Sequence, residues 1–134
     1  MPNDLTFFLR EPVEEKLLLS VLESVTGTPC GSLELPNESA SVFLMSLESS
    51  QGFRQGVSLM WPLTILWPFI LVPTKVELCD RIASALQAEV LFEADDSISD
   101  TNLEKWLLAT PGEGSPHAVN IKELTDGIYL ASDA

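Results

Sequence analysis

The sequence predicts an α+β fold, two helices packed on a mostly antiparallel mixed sheet, in a single domain spanning residues 1–134. Three observations carry that expectation. Segments beginning at Val13 and at Thr74 repeat apolar residues at helical spacing, and the stretches around them alternate apolar and polar residues as half-buried strands do. Between the two, Gly56 to Pro73 (GVSLMWPLTILWPFILVP) has no charged residue and holds two of the three tryptophans. With 134 residues, 46% of them hydrophobic and 20% charged, the chain has material for one core that needs neither disulfides nor a metal.

The first strand is expected at Leu5–Arg10 (LTFFLR), where aromatic content is high, and Glu11-Pro12 stops it. Pro12 suits a first helical turn, in which its missing N–H is not needed. From there Val13, Leu17, Val21 and Val25, widened by Leu18 and Leu22, form one apolar face, and the helix should end at Gly27. Glu14 and Glu15 fall in the first turn, where the helix dipole favours negative charge. Thr28–Ser41 is rich in Gly, Pro, Asn and Ser and reads as a loop, with a brief edge strand at Leu33–Leu35.

Ser41–Glu48 and Phe53–Trp61 make a hairpin across the turn Ser49–Gly52. In the first strand Phe43, Met45 and Leu47 point one way. The second places Phe53, Gln55, Val57, Leu59 and Trp61 on one face and Arg54, Gly56, Ser58 and Met60 on the other. The uncharged stretch that follows is not a membrane helix, which needs about 20 apolar residues and loses about 3 kcal/mol to an interior proline; Pro62, Pro68 and Pro73 interrupt it. It reads as buried strand and turn at the centre of the sheet, Leu63–Val72 being one bent strand or two short segments that meet at Trp67-Pro68. Trp61 and Trp67 then either pack in the core or, if exposed together, form an apolar patch for a partner or a second copy.

Thr74-Lys75-Val76-Glu77 matches a capping box, with Thr74 accepting from the amide of Glu77 and Glu77 reaching back to the cap. Behind it Val76, Cys79, Ile82, Ala83 and Leu86 make a helical face as far as Ala88, and Glu89–Glu93 (EVLFE) is a strand. A helix delivered into a strand in this way is half of a crossover, or a helix lying across a sheet. Ala94–Asn102 is a polar loop, Lys105–Thr110 a strand, Pro111–Pro116 a turn and His117–Ile121 a return strand. Lys122–Asp126 is expected as a turn or short helical piece before a last strand at Gly127–Ala131.

Charge narrows the function classes. Twenty acids against seven bases give a net charge of -13, a field that repels nucleic acid and anionic membranes and attracts cationic partners. The balance is uneven along the chain: residues 1–73 hold 3 bases and 8 acids, and residues 74–134 hold 4 and 12. Glu89 to Glu104 contains six acids and no base. The N-terminus lacks a basic segment followed by a long apolar one, so a cytoplasmic protein is expected. Cys30 and Cys79 are too few for a disulfide framework.

Catalytic and metal chemistry find little footing. Glu93, Asp95, Asp96 and Asp100 offer oxygen ligands without the EF-hand spacing or its turn glycine, and one histidine with two distant cysteines makes no zinc pattern. No cofactor or metal is therefore expected. Gly112-Glu113-Gly114 lacks the third glycine and the following helix of a dinucleotide loop. A small hydrolase would have to pair Cys30 or Cys79 with His117, the sole imidazole.

Over residues 74–131, a helix leading into VLFEADD, then NLEKWLLATPGEG and a closing LTDGIYL, the chain resembles the small acidic immunity proteins that bacteria make against polymorphic or contact-dependent toxins. That resemblance implies one-to-one docking of acidic residues against a basic toxin surface, and no catalytic residue. Glu93, Asp95, Asp96, Asp100 and Glu104 are the candidate partner-binding residues, with a solvated, functionless loop as the plain alternative. The leading expectation is a non-enzymatic protein, monomer or homodimer, that binds a protein partner with a basic surface. A secretion chaperone of the type III kind is the second, although such chaperones usually end in a helix, whereas this chain ends in GIYLASDA.

Overall fold

A computed structural model describes residues 4–49, 51–65, 67–69, 71–93, 106–112, 116–124 and 127–130. Among them the order of elements is β1 (Asp4–Leu9), α1 (Glu15–Thr26), β2 (Cys30–Ser32), β3 (Val42–Glu48), β4 (Gln55–Met60), α2 (Lys75–Leu86), β5 (Val90–Glu93), β6 (Trp106–Ala109), β7 (His117–Val119), β8 (Ile121–Leu124) and β9 (Gly127–Leu130). Seven strands form one mixed sheet in the order β2-β3-β4-β1-β5-β6-β7, and β8 and β9 form a separate hairpin. All pairings are antiparallel except β2 with β3, so the fold is α+β as the sequence predicts.

Two crossovers generate this order. β1 runs antiparallel to both β4 and β5, which makes β4 and β5 parallel with β1 between them, joined through α2. β1 and β2 are likewise parallel, joined through α1 across β4 and β3. The crossovers leave from oppositely directed strands and travel in opposite directions, so connections of one hand put both helices on the same face. There α1 and α2 pack together, covering Leu5, Phe7 and Leu9 of β1, Val57 and Leu59 of β4, and Val90 and Phe92 of β5.

The centre of the sheet is therefore β1, which corrects the expectation for Gly56–Pro73. Among the described residues of that stretch, only Gly56–Met60 are strand. The chain leaves the ladder at Trp61; Pro62 has no N–H to continue it, and its carbonyl accepts from Ile65 N at 3.0 Å to close a turn. Phe69 and Val72 fold back into the core beneath the helices. Side chains supply the hydrogen bonds that a ladder would have made: Thr28 Oγ1 donates to Pro68 O at 3.1 Å and Trp67 Nε1 to Val72 O at 2.7 Å.

Both helices bury most of the expected face, rotated so that Leu17 of α1 and Val76 of α2 fall outside it. In α1 the buried residues are Leu18, Leu19, Leu22 and Thr26, while Leu17 is 50% exposed and Val21 and Val25 are half-buried. Its apolar arc, Leu17 round to Leu19, is wider than one packing partner covers. Buried Thr26 is tolerated because its hydroxyl donates to Leu22 O at 2.5 Å. The helix begins at Glu15, beyond Pro12, and ends at Gly27, whose φ of 69° closes it in the left-handed region. Gln55, buried among apolar neighbours, fixes that entry: its amide accepts from Val13 N at 2.7 Å and donates to Val13 O at 3.2 Å.

In α2, Thr74 Oγ1 accepts from Glu77 N at 3.1 Å, and the Glu77 carboxylate turns forward to Arg81 Nη2 at 2.9 Å in place of the reciprocal cap contact. Leu78, Cys79, Ile82 and Ala83 are buried, whereas Val76 is exposed. The short edge strand lies at Cys30–Ser32, with Leu33–Leu35 exposed beyond it.

β8 and β9 correct the reading of Lys122–Asp126 as a turn or helical piece. The hairpin they make covers part of the sheet face opposite the helices. There Phe53, Leu91, Trp106, Leu108 and Leu130 form a second core, with Phe8, Val119, Ile121 and Ile128 packed against it. Phe53 N donates to Ile128 O at 2.7 Å. Gly52 and Gly127 let the two turns interlock, since a Cβ on either would strike the carbonyl of Ile128 or of Gln51.

Candidate functional site

Among the described residues, the face opposite the helices is only half covered. Strand register places Phe43, Met60 and Asp4 in one row across β3, β4 and β1, and Met45, Ser58 and Thr6 in the next. Phe7 stands opposite Phe92, which sets Glu93 of β5 alongside Thr6 at the end of the second row. A third row is Leu47, Gly56 and Phe8. The β8–β9 hairpin covers Phe8 onward, so the β3 side remains open: Phe43 is 41%, Met45 49% and Leu47 75% exposed.

Local sequence explains why this strip is level and accessible. Gly56 leaves room for the Phe8 ring, which an added Cβ would meet at 3.1 Å, and Phe8 turns toward Trp106 with ring centroids 5.9 Å apart. Thr6 and Ser58 hydroxyls lie 3.0 Å apart across β1 and β4 and raise nothing bulky between the apolar strip and the acids. At the Phe43–Met60 end the strip drops into an open pocket of about 420 Å³, walled by Gly31, Pro36, Ala40, Phe43, Met60 and Pro62.

The predicted acidic residues divide. Glu93 is exposed at the end of β5 on this open face, level with Trp106. Asp95, Asp96, Asp100 and Glu104 lie outside the described residues. Asp4, exposed at the end of the first row, was not foreseen as part of the same surface; pairing β1 with β4 is what brings it there.

Trp61 and Trp67 do not form an exposed patch. Trp61 is 5% exposed, and Trp67 is half-buried with its indole N–H bonded to Val72 O. Trp61, Trp67 and Phe69 meet edge to face with centroids 5.2 to 6.0 Å apart, a geometry that joins them as one aromatic cluster sealing the core.

The cysteines gain no histidine. Cys30 is on β2 and His117 on β7, the two edges of the sheet, separated by six strand spacings or about 29 Å. Cys79 is buried on the helix side, whereas His117 pairs with Leu108 on the opposite face. Burial, with Glu23 adding to it, pushes the Cys30 thiol up to about 12, far from nucleophilic thiolate. No three His, Cys, Asp or Glu among the described residues are grouped to hold a metal. Nor is any described helix long and apolar enough to cross a membrane.

No protein-family model, curated protein or solved structure matches this chain.

Proposed function

We propose that the protein is a stoichiometric protein-binding protein, most concretely an immunity protein that neutralises a cognate bacterial toxin in the cytoplasm by docking an acidic surface on a basic one. The observation that carries this reading is charge: a net -13, with six acids and no base from Glu89 to Glu104. Such a field accelerates encounter with a basic partner and disfavours acidic competitors. Exposed Glu93 supports the reading by standing within that segment, beside an open sheet face.

The test is co-expression with the product of an adjacent toxin-like gene. The expected result is survival of the cells and a one-to-one complex in sedimentation. Neutralising Asp95, Asp96 and Asp100 together to Asn should slow association at least tenfold at low salt and flatten its salt dependence. A toxin that kills despite co-expression, with no complex detected, overturns the reading.

A further inference from the structure

We propose that the open strip of Phe43, Met45, Leu47 and Met60, with the pocket at its end and Asp4 and Glu93 along its side, is a docking site for a cationic amphipathic helix of the partner protein. This rests on the protein-binding reading and names the shape and chemistry of what binds.

Three features of the surface converge on that occupant. The first is width. The apolar strip and Asp4, from β3 across β4 to β1, span two strand spacings, about 10 Å, which matches the diameter of one helix, about 10–12 Å. Glu93 on β5 lies one spacing beyond, where a flanking Lys or Arg would reach. The same sheet is covered by two helices on its other face and by the β8–β9 hairpin on the rest of this one, so a docked helix completes a layer that the described residues leave unfilled.

Charge is the second feature. Two adjacent rows run from apolar residues to an acid, Phe43–Met60–Asp4 and Met45–Ser58–Thr6–Glu93. Among the described side chains, the bases Lys16, Lys75 and Arg81 are on helices at the opposite face, and Arg10 and Arg54 are tied to Glu89 and Glu11; Lys105 and the Lys122 side chain lie outside the described residues. A helix with an apolar stripe flanked by Lys or Arg on one side satisfies both halves of each row. A second copy of this chain does not, because it brings another -13 and its own Asp4 and Glu93.

The third feature is the pocket, about 420 Å³ and continuous with the strip through Phe43 and Met60. It is large enough for one bulky apolar side chain from the helix, and such a fully desolvated anchor carries a disproportionate share of binding energy at protein interfaces.

Methionine makes the test direct. The chain has three methionines, and Met45 and Met60 are both on the strip. Carbon-labelled methionine methyls are followed by NMR during titration with a helical peptide of leucine and lysine, and separately with its leucine and glutamate counterpart. The lysine peptide should shift the Met45 and Met60 methyls to saturation at one equivalent, and the glutamate peptide should shift neither.

Charge reversal at Asp4→Lys with Glu93→Lys should weaken binding about tenfold, and Leu47→Lys by a similar factor. Leu47 is 75% exposed, so its substitution should leave folding intact, with an unchanged circular dichroism spectrum as the check. Equal shifts with both peptides, no shift with either, or shifts that follow protein concentration alone through self-association each overturn the proposal. If a toxin complex survives Met45→Lys and Leu47→Lys but is lost on neutralising Asp95, Asp96 and Asp100, the strip is not the site and the protein-binding reading stands.

Discussion

Cys30 donates its thiol to the carbonyl of Thr28 at 3.3 Å and is 2% exposed; Cys79 is 0% exposed on the buried face of α2. In each, removal from water disfavours the thiolate. Cys30 is moved from 9.0 to about 12, with Glu23 reinforcing burial, and Cys79 is raised as well, Lys75 opposing and Asp80 adding. Because the folded thiols hold their protons more tightly than the unfolded ones, their contribution to stability is complete below pH 9.0 and declines as pH rises from there toward about 12. Urea midpoints should fall across that window, and less steeply in Cys30→Ala. Near neutral pH a disulfide reagent should label neither thiol until the protein is unfolded. Rapid labelling of the native protein would show that the sites open to solvent.

At the scale of the helix, the decisive comparison is between neighbours on α1. Leu22 is 1% exposed in the main core and Leu17 is 50% exposed, although both belong to the apolar face read from sequence. Leu22→Ala should cost about 2–5 kcal/mol in chemical denaturation and Leu17→Ala no more than about 0.5 kcal/mol. Similar losses at both positions would return Leu17 to the core.

This case also marks what sequence could convey about elements. Helix ends were legible where chemistry is local: Gly27 takes a left-handed conformation, and Thr74 bonds the amide three residues on. The covered side of a wide apolar arc was not, since it depends on a partner element distant in sequence. The strand over Lys122–Leu124 was missed because IKEL has little strand character of its own, and its hairpin is secured from outside, by the 51–53 turn against Ile128. The open strip left a faint signal. Phe43, Met45 and Leu47 share one side of β3, yet two of the three residues opposite them on β4 are the small Ser58 and Gly56, an imbalance that a fully covered face would not carry.

For the molecule as a whole, folding and binding feel the same charges with opposite sign. Twenty acids and seven bases leave most carboxylates without a cation to match them, and three ion pairs are formed at contact among the described residues, Arg10–Glu89, Arg54–Glu11 and Arg81–Glu77. Such partly exposed pairs contribute little each, while repulsion among the surplus acids extends across the molecule. Raising ionic strength from 0.01 to 0.15 M shortens the screening length from about 30 to about 8 Å, which removes the long-range repulsion and leaves the close pairs largely in place. The melting temperature should therefore rise with salt, by about 4 °C for each kcal/mol of repulsion removed. Over the same range the association rate with a basic partner should fall, because the field that strains the fold is the one that steers encounter. A melting temperature that drops with added salt would mean that the ion pairs outweigh the surplus charge. An association rate indifferent to salt would leave the apolar strip, and not the acids, to select the partner.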